Sequence, residues 1–246
     1  MSSELYQDAA AHVRRLWRHR GATLPVPRRG PRQQLDLDEI LEAAIAIADA
    51  EGLTAVSTRA VAARFGKTAM ALYAYVGTKE HLLALMQDHA SAMPQWTDPR
   101  TSLADALEAW TLALFDVYVK HPWLTERPWS QATQGPNEQD WLERLLQILD
   151  YWNVPAGVQP SAVTMLYATV RATAETSAAY GRLDQRHVEG WRRVAEAIRQ
   201  QIPDLCQRYP RSTALQPPTP DWRDNPKAGL ISAVRLLASA LEASRS

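Results

Sequence analysis

The sequence has little cysteine, few glycines and no long apolar run. Cys206 is the only cysteine among 246 residues, so an intrachain disulfide is excluded and no cysteine-based metal motif is present. No stretch reaches the roughly 18 consecutive apolar residues of a membrane span, and the first residues lack the basic-then-apolar pattern of a signal peptide. We therefore expect a protein that works in the cytoplasm, without a membrane segment.

Motifs of common catalytic sites are also missing. The sequence contains no P-loop, no dinucleotide-binding glycine fingerprint, no His-Glu-x-x-His and no Gly-x-Ser-x-Gly. Carboxylates such as Glu143 and Glu175 have no evident partners with which to form a catalytic group. These absences predict no enzyme activity, no metal and no cofactor.

Charge is balanced overall but uneven along the chain. The 27 basic and 27 acidic residues cancel, so the net charge does not point to nucleic acid. Residues 1–34, however, contain seven arginines and only two acidic residues. Prolines within 24–34 favour an extended basic arm, whose Arg28, Arg29 and Arg32 suit the minor groove or the phosphates of DNA. A solvated leader that contacts nothing is the alternative.

The glycines stand where helical patterns end. No stretch alternates apolar and polar residues as a half-buried strand does. Stretches with apolar residues at helical spacing end instead at a series of glycines, namely Gly52, Gly66, Gly77, Gly157 and Gly181. The sequence therefore predicts an all-α fold.

Residues 57–80 predict two short helices joined by a tight turn. Ser57 or Thr58 provides a capping hydroxyl for the first helix. Gly66 ends that helix, because glycine adopts the left-handed conformation without strain. Thr68 then caps the second helix. Two interpretations remain at this point, a DNA-binding helix-turn-helix and a helical hairpin within a bundle.

The outer face of the second helix favours DNA binding. Leu72 and Val76 face inward, which leaves small and aromatic residues outside, namely Ala69, Met70, Ala71, Tyr73 and Tyr75. A helix-turn-helix presents this face to the major groove, where such residues are understandable. Helices on both sides can support the motif, one capped by Asp36 and one that contains Leu82, Leu83, Leu85 and Met86.

Two runs carry a family resemblance. The segment 48–66 and the run Ala-Leu-Tyr-Ala-Tyr-Val-Gly-Thr-Lys-Glu-His-Leu-Leu at 71–83 resemble the DNA-binding domain of the tetracycline-repressor family of transcriptional regulators. The resemblance covers residues 35–90. It implies that this segment forms a helix-turn-helix domain and that some of its side chains contact DNA. The implied DNA-binding set is Arg59, Lys67, Thr68, Ala69, Met70, Ala71, Tyr73, Ala74, Tyr75 and Lys79.

Within that set, the resemblance assigns different tasks. Arg59 matches a position that contacts a base or phosphate, and Lys79 matches a phosphate-binding lysine at a helix start. Tyr73 and Tyr75 match phosphate- and groove-contacting positions. The alanines and Met70 offer no hydrogen bonds to base edges, so readout depends on thymine-methyl contacts and on the neighbouring polar residues.

The chain beyond residue 93 resembles the regulatory domain of the tetracycline repressors themselves. The resembling pieces are Lys-His-Pro-Trp-Leu at 120–124 and Gly-Pro-Asn at 135–137. They imply that the helix at 161–180 and the last helix form a four-helix bundle with a second subunit, for which their many alanines are suited. We expect a homodimer on a palindromic operator. Packing within one chain is the alternative.

Aromatic residues on these helices predict an apolar pocket for a small molecule, each with burial in the core as the alternative. The candidates are Trp110, Phe115, His121, Trp123, Trp141 and Tyr167. His121 falls where tetracycline repressors place a magnesium-ligating histidine. Residues 122–124 lack the hydroxyl that such a site uses, so a tetracycline–magnesium effector is not expected.

The predicted architecture is an N-terminal three-helix helix-turn-helix domain plus a larger helical domain. Its parts are an extension with a basic arm at 1–34, the DNA-binding domain at 35–93 and a ligand-binding and dimerisation domain at 94–246. The predicted function is a ligand-responsive transcriptional regulator, first of all a repressor that an unknown small molecule releases from double-stranded DNA. The alternative is an all-α carrier or enzyme in which the helix-turn-helix is only scaffold.

Overall fold

The chain is built from helices and their connections in the part that the computed structural model describes, which comprises residues 8–22, 35–95 and 101–244. No strand occurs in these ranges, and the prediction of an all-α fold is confirmed. The predicted arm with Arg28, Arg29 and Arg32 lies outside them. None of the described helices is long and apolar enough to cross a membrane.

Twelve α-helices occur in the described residues. They are α1 (Ala9–Leu16), α2 (Leu37–Glu51), α3 (Thr58–Arg64), α4 (Ala69–Val76), α5 (Lys79–Ala90), α6 (Leu103–Lys120), α7 (Pro136–Tyr151), α8 (Gln159–Gly181), α9 (Gln185–Gln201), α10 (Leu205–Arg208), α11 (Pro210–Ala214) and α12 (Asn225–Ala243). Short 3₁₀ segments span Leu53–Ala55, Pro122–Glu126 and Trp129–Gln131.

The boundaries of α3, α4 and α5 follow from local chemistry. Ser57 Oγ accepts a hydrogen bond from Ala60 N at 3.0 Å, and Thr68 and Thr78 cap the next two helices in the same way. Gly66 has a φ of +63°, in the left-handed region that glycine adopts without strain. The two-helix motif and its turn therefore form as the sequence predicts.

Helices α1 to α5 share one apolar core. Ile40, Val61, Leu72 and Leu82 are completely buried in it, and they come from four different helices. Burying one such side chain contributes about 1.5–3 kcal/mol. Trp123, which follows α6, belongs to the same core. This packing holds α4 against α3 and α5 while its other face stays outside.

A second core lies among α6, α7, α8 and α12. Its buried side chains include Trp110, Trp141, Val170 and Leu230. Tyr118 of α6 packs against both cores, which makes α6 a shared wall. Helix α9 lies outside this core and contains no buried residue.

Candidate nucleic-acid interface and ligand cavity

Helix α4 exposes the face that the sequence assigned to DNA. Leu72 and Val76 are completely buried, whereas Met70 is 78% exposed. Ala74 is also exposed, and Ala69 and Ala71 are half-buried. A methionine this exposed contributes little to the core of its own chain. The exposed side of α4 is thus an apolar strip that is available to another molecule.

The two tyrosines of α4 have different surroundings. Tyr73 is 39% exposed, and its hydroxyl oxygen accepts a hydrogen bond from Thr58 Oγ1 at 3.2 Å. Tyr75 is half-buried and packs against the first core. The hydrogen bond thus anchors the Tyr73 hydroxyl to the first residue of α3 and leaves its ring accessible. Much of the Tyr75 side chain contributes to the packing of the motif instead.

Basic side chains border α4 on both sides. Arg59 is exposed in the first turn of α3, and Lys79 is exposed as the first residue of α5. Neither takes part in an ion pair with another described residue. The N terminus of α5 adds the positive end of a helix dipole beside Lys79. Thr68 is exposed and Lys67 is half-buried in the turn between α3 and α4.

Arg15 of α1 is a further basic residue here, which the sequence did not indicate. Its Nη1 lies 3.4 Å from the place that a Cβ on Gly77 would occupy, and Gly77 is the C-cap of α4. No described carboxylate forms an ion pair with Arg15. The only sequence signal was a basic last turn in α1, since nothing in the linear chain relates residue 15 to residue 77.

Helix α1 is fixed in place by contacts with α2 and α5. The rings of His12 and His81 stack, Leu16 is buried in the first core, and Arg18 forms an ion pair with Asp38. Burial, followed by the charges of His81 and Arg15, lowers the pKa of His12 to about 4. Helix α1 therefore extends the surface around α4 as a firmly packed element.

A cavity of about 210 Å³ lies between α5, α6, α7 and α8. Its wall combines aromatic and aliphatic side chains with several polar ones. The lining residues are Gln87, Ser91, Leu114, Tyr118, Leu124, Arg127, Pro128, Ala132, Gln134, Glu138, Gln139, Trp141, Leu142, Val163, Tyr167 and Arg171. Burial raises the pKa of Tyr118 to about 12, so its hydroxyl stays neutral.

Two of the six predicted pocket aromatics line this cavity, Trp141 and Tyr167. Trp110 lies behind them, fully buried, with its Nε1 donating to the Trp141 carbonyl at 3.1 Å. Phe115 is buried in the second core and is not a lining residue.

His121 and Trp123 bind a residue of α2 instead. Trp123 Nε1 donates to Asp49 Oδ1 at 2.7 Å, and His121 Nδ1 lies 2.9 Å from the same oxygen. These contacts join the segment after α6 to the first core. No group of three or more His, Cys, Asp or Glu side chains suited to a metal occurs in the described ranges.

The polar side of the cavity was missed by sequence reasoning. Arg127 Nε donates to Gln87 Oε1 at 2.7 Å, and Gln87 Nε2 donates to Glu138 Oε1 at 2.6 Å. Arg171 donates to the carbonyl of Thr125. These residues follow no spacing pattern, because they come from three helices and the segment after α6, which meet only in the folded chain.

The fold and the exposed second helix of the motif define a helix-turn-helix DNA-binding regulator with a separate cavity of about 210 Å³. Residues 40–86 match the model of the bacterial regulatory proteins of the tetR family. The HTH-type transcriptional repressor DrrR1 of Streptomyces coeruleorubidus is 35% identical over 212 residues, or 80% of this chain and 75% of that protein. The chain belongs to the TetR family of transcriptional regulators, as its sequence predicts.

Solved structures agree with the fold. ActR of Streptomyces coelicolor in its apo form has a TM-score of 0.67 at 20% identity, covering 89% of this chain and 98% of ActR. Its complex with actinorhodin gives a TM-score of 0.70 at 22% identity, covering 86% of this chain and 97% of ActR. The similarity covers both cores. Membership in a family of transcriptional regulators does not favour the alternative of a carrier or enzyme.

Proposed function

We propose that this protein is a repressor that binds a palindromic operator as a homodimer and leaves it when a small molecule occupies the cavity. It would act in the cytoplasm on chromosomal DNA, with residues 35–93 as the DNA-binding domain and 94–246 as the regulatory domain. One observation carries this proposal. Helix α5 begins at Lys79, an exposed residue proposed to bind phosphate, and contributes Gln87 and Ser91 to the cavity wall.

The proposed DNA contacts divide into phosphate binding and groove reading. Arg59 and Lys79 neutralise phosphates, because both are exposed and lack a carboxylate partner in the described chain. The groove readers are Lys67, Thr68, Ala69, Met70, Ala71, Tyr73, Ala74 and Tyr75. Since most of them offer apolar groups, contacts with thymine methyls fit this surface best. The arm with Arg28, Arg29 and Arg32 is proposed to contact the adjacent minor groove.

The proposed dimer forms through α8 and α12. Met165 of α8 is 54% exposed and Leu236 of α12 is 73% exposed, and exposed alanines and serines accompany them on both helices. Small residues allow helices to approach closely, and a second copy would bury both large apolar side chains. A two-fold pair of α4 helices would read half-sites about 34–36 Å apart.

The proposed effector is a flat aromatic molecule with oxygen substituents. Trp141 and Tyr167 supply aromatic surface, and Arg127 and Arg171 supply donors for oxygen atoms. At about 210 Å³ the cavity is smaller than the roughly 300–1,000 Å³ of typical ligand sites, so a larger ligand has to displace part of the wall. ActR, which shares the fold, was crystallised with actinorhodin, and this compound is the first probe.

DNA binding is tested with the region upstream of the protein's own gene, by fluorescence anisotropy at roughly 50 and 200 mM salt. We expect specific binding that salt weakens and that Arg59→Ala and Lys79→Ala each reduce. Arg192→Ala, which removes an exposed arginine of α9 paired with Glu189, is the control and should bind normally. Absence of specific binding would reject the repressor. Undiminished binding in both variants would reject the contact assignment.

Effector binding is tested by thermal shift with actinorhodin and a panel of smaller aromatic phenols, followed by DNA release. Val163→Trp places a large side chain in the cavity wall and should abolish binding of the probe while DNA binding persists. Val194→Trp on the exposed surface of α9 is the matched control. Probe binding that survives Val163→Trp would place the ligand outside the cavity.

A further inference from the structure

Side chains of α5 and α7 interlock at the edge of the cavity. Asp88 is only 4% exposed, and its Oδ1 accepts hydrogen bonds from the backbone amides of Asn137 at 3.0 Å and Glu138 at 3.2 Å. Asn137 Nδ2 donates back to the Asp88 carbonyl at 2.9 Å. Gln87 donates to Glu138 at 2.6 Å. We name these four residues the α5–α7 joint.

The joint supplies what the first turn of α7 otherwise lacks. Gly135, the N-cap residue of α7, has no side chain to accept hydrogen bonds from the free amides of that turn. Asp88 fills this role from another helix, and its negative charge suits the positive end of the α7 dipole. The capping of the first turn of α7 by Asp88 therefore depends on the position of α5.

Space at the joint is fully used. A Cβ on Gly135 would collide with the Asp88 carboxylate, although the φ of Gly135, −77°, is open to any residue. Glycine is thus required here for the close approach of Asp88 and not for its backbone conformation. A shift of α5 away from α7 would lengthen the hydrogen bonds of Asp88 with Asn137 and Glu138.

Two joint residues also line the cavity, Gln87 and Glu138, whereas Asp88 and Asn137 do not. A second link lies one helical turn further along α5, where Trp141 Nε1 donates to the Ser91 carbonyl at 2.7 Å. A ligand that enlarges the cavity therefore presses on the very residues that hold α5 to α7.

We propose that the α5–α7 joint transmits cavity occupancy to the DNA-binding helices, with Asp88 and Asn137 as positioning residues that touch neither ligand nor DNA. The inference rests on the proposed function and adds the route by which it is regulated. A ligand that takes the hydrogen bonds of Gln87 or Glu138 loosens the Asp88 cap. Helix α5 is then free to shift, and Lys79 shifts with it. Coupling between sites needs such an element with two arrangements.

The test uses full-length protein and two variants that leave the cavity lining unchanged. Asn137→Ala removes the side-chain bonds to Asp88, and Gly135→Ala displaces the Asp88 carboxylate. Gln147→Ala is the control, because the side chain of this exposed residue donates to Glu143 of the same helix and to no other residue in the described ranges. For each protein, the affinity for the upstream DNA is measured with and without saturating actinorhodin, and probe affinity is measured separately.

We expect actinorhodin to weaken DNA binding of the wild type and of Gln147→Ala by a typical coupling factor of roughly 5- to 150-fold. In the two joint variants, actinorhodin should weaken DNA binding by less than about 2-fold. The affinity of these variants for actinorhodin should change by less than about 3-fold. Release that is as strong in both joint variants as in the wild type would overturn the inference and leave the proposed function intact.

Hydrogen exchange gives a second measurement that needs no effector. DNA binding should change the exchange of the Asn137 and Glu138 amides by about 3-fold or more in the wild type, and less in Asn137→Ala. Unchanged exchange in wild-type protein that does bind DNA would reject the joint. A wild type that binds no specific DNA would overturn the proposed function, and this inference with it.

Discussion

The imidazole rings of His12 and His81 stack with their centroids 4.3 Å apart and their planes 14° from parallel. His12 is 8% exposed, and burial together with His81 and Arg15 lowers its pKa to about 4. The folded chain therefore holds His12 neutral at a pH where the unfolded chain protonates it. This pair joins α1 to α5 and makes that contact sensitive to acid.

His12→Gln should reduce the loss of stability in acid. Because the folded pKa lies below the usual 6.5, the stabilisation is complete above pH 6.5 and is lost as pH falls toward about 4. The full effect corresponds to about 3 kcal/mol. Urea denaturation at several pH values measures it, with His187→Gln as an exposed control. If His12→Gln and His187→Gln lost the same free energy of unfolding in acid, His12 would not be the source of the acid sensitivity.

Asp88 should give a pH dependence of the opposite sign. Burial raises the pKa of its carboxyl to about 6, so the folded chain binds this proton more tightly than the unfolded chain does. Its contribution to the free energy of unfolding falls as pH rises from about 4 to about 6, by about 3 kcal/mol at most.

Asp88→Asn keeps an oxygen acceptor for the amides of α7 but cannot ionise. Relative to the wild type, this variant should therefore gain stability between about pH 4 and pH 6, as measured by urea denaturation. Asp150→Asn changes an exposed carboxylate of α7 and serves as the control. A constant difference between Asp88→Asn and wild type across this range would argue against a raised pKa.

Arg15→Ala should weaken DNA binding through a lost phosphate contact. The guanidinium lies beside Gly77, two residues before the proposed phosphate-binding Lys79. Removing one such contact should lower the slope of log affinity against log salt by about 1. The measurement is an anisotropy titration over a salt series, with Arg193→Ala of α9 as control. A weaker affinity with an unchanged slope would mean that Arg15 only supports α1.

Trp123→Phe should destabilise the fold by about 2 kcal/mol, because it removes a buried hydrogen bond to the Asp49 carboxylate while most of the apolar surface remains. The free energy of unfolding in urea measures this loss. Trp191→Phe, at a ring that is 48% exposed on α9, should change it by less than about 0.5 kcal/mol. Equal effects at both positions would show that the Asp49 contact contributes little.

The predictions from sequence succeeded where structure is set by neighbours in the chain. The caps at Ser57 and Thr68 and the turn at Gly66 form as expected, because hydroxyl capping and left-handed glycine act within three or four residues. The inward positions of Leu72 and Val76 follow from helical periodicity. The contacts proposed for Arg59 and the rest of the DNA-binding set stay predictions.

The lining of the cavity could not be predicted from the sequence. Trp110, Trp123 and Trp141 are all buried aromatics on helices or helical turns, and their local patterns do not distinguish them. Only Trp141 lines the cavity, whereas Trp123 binds Asp49, which lies 74 positions earlier in the chain. Whether an aromatic side chain meets another core residue or an open space depends on which helices pack against it.

The sequence by itself determined an all-α chain, the helix-turn-helix with its exposed α4 face, and the family. These follow from short-range hydrogen bonding, from periodic burial and from a recognisable run of residues. The tertiary structure alone decided that Arg15 lies beside the end of α4, that Trp141 and Tyr167 line the cavity, and that Asp88 caps α7. Arg15 and Gly77 are 62 positions apart, and Asp88 and Asn137 are 49 positions apart. No local rule links such residues, because their contacts exist only once the helices have packed.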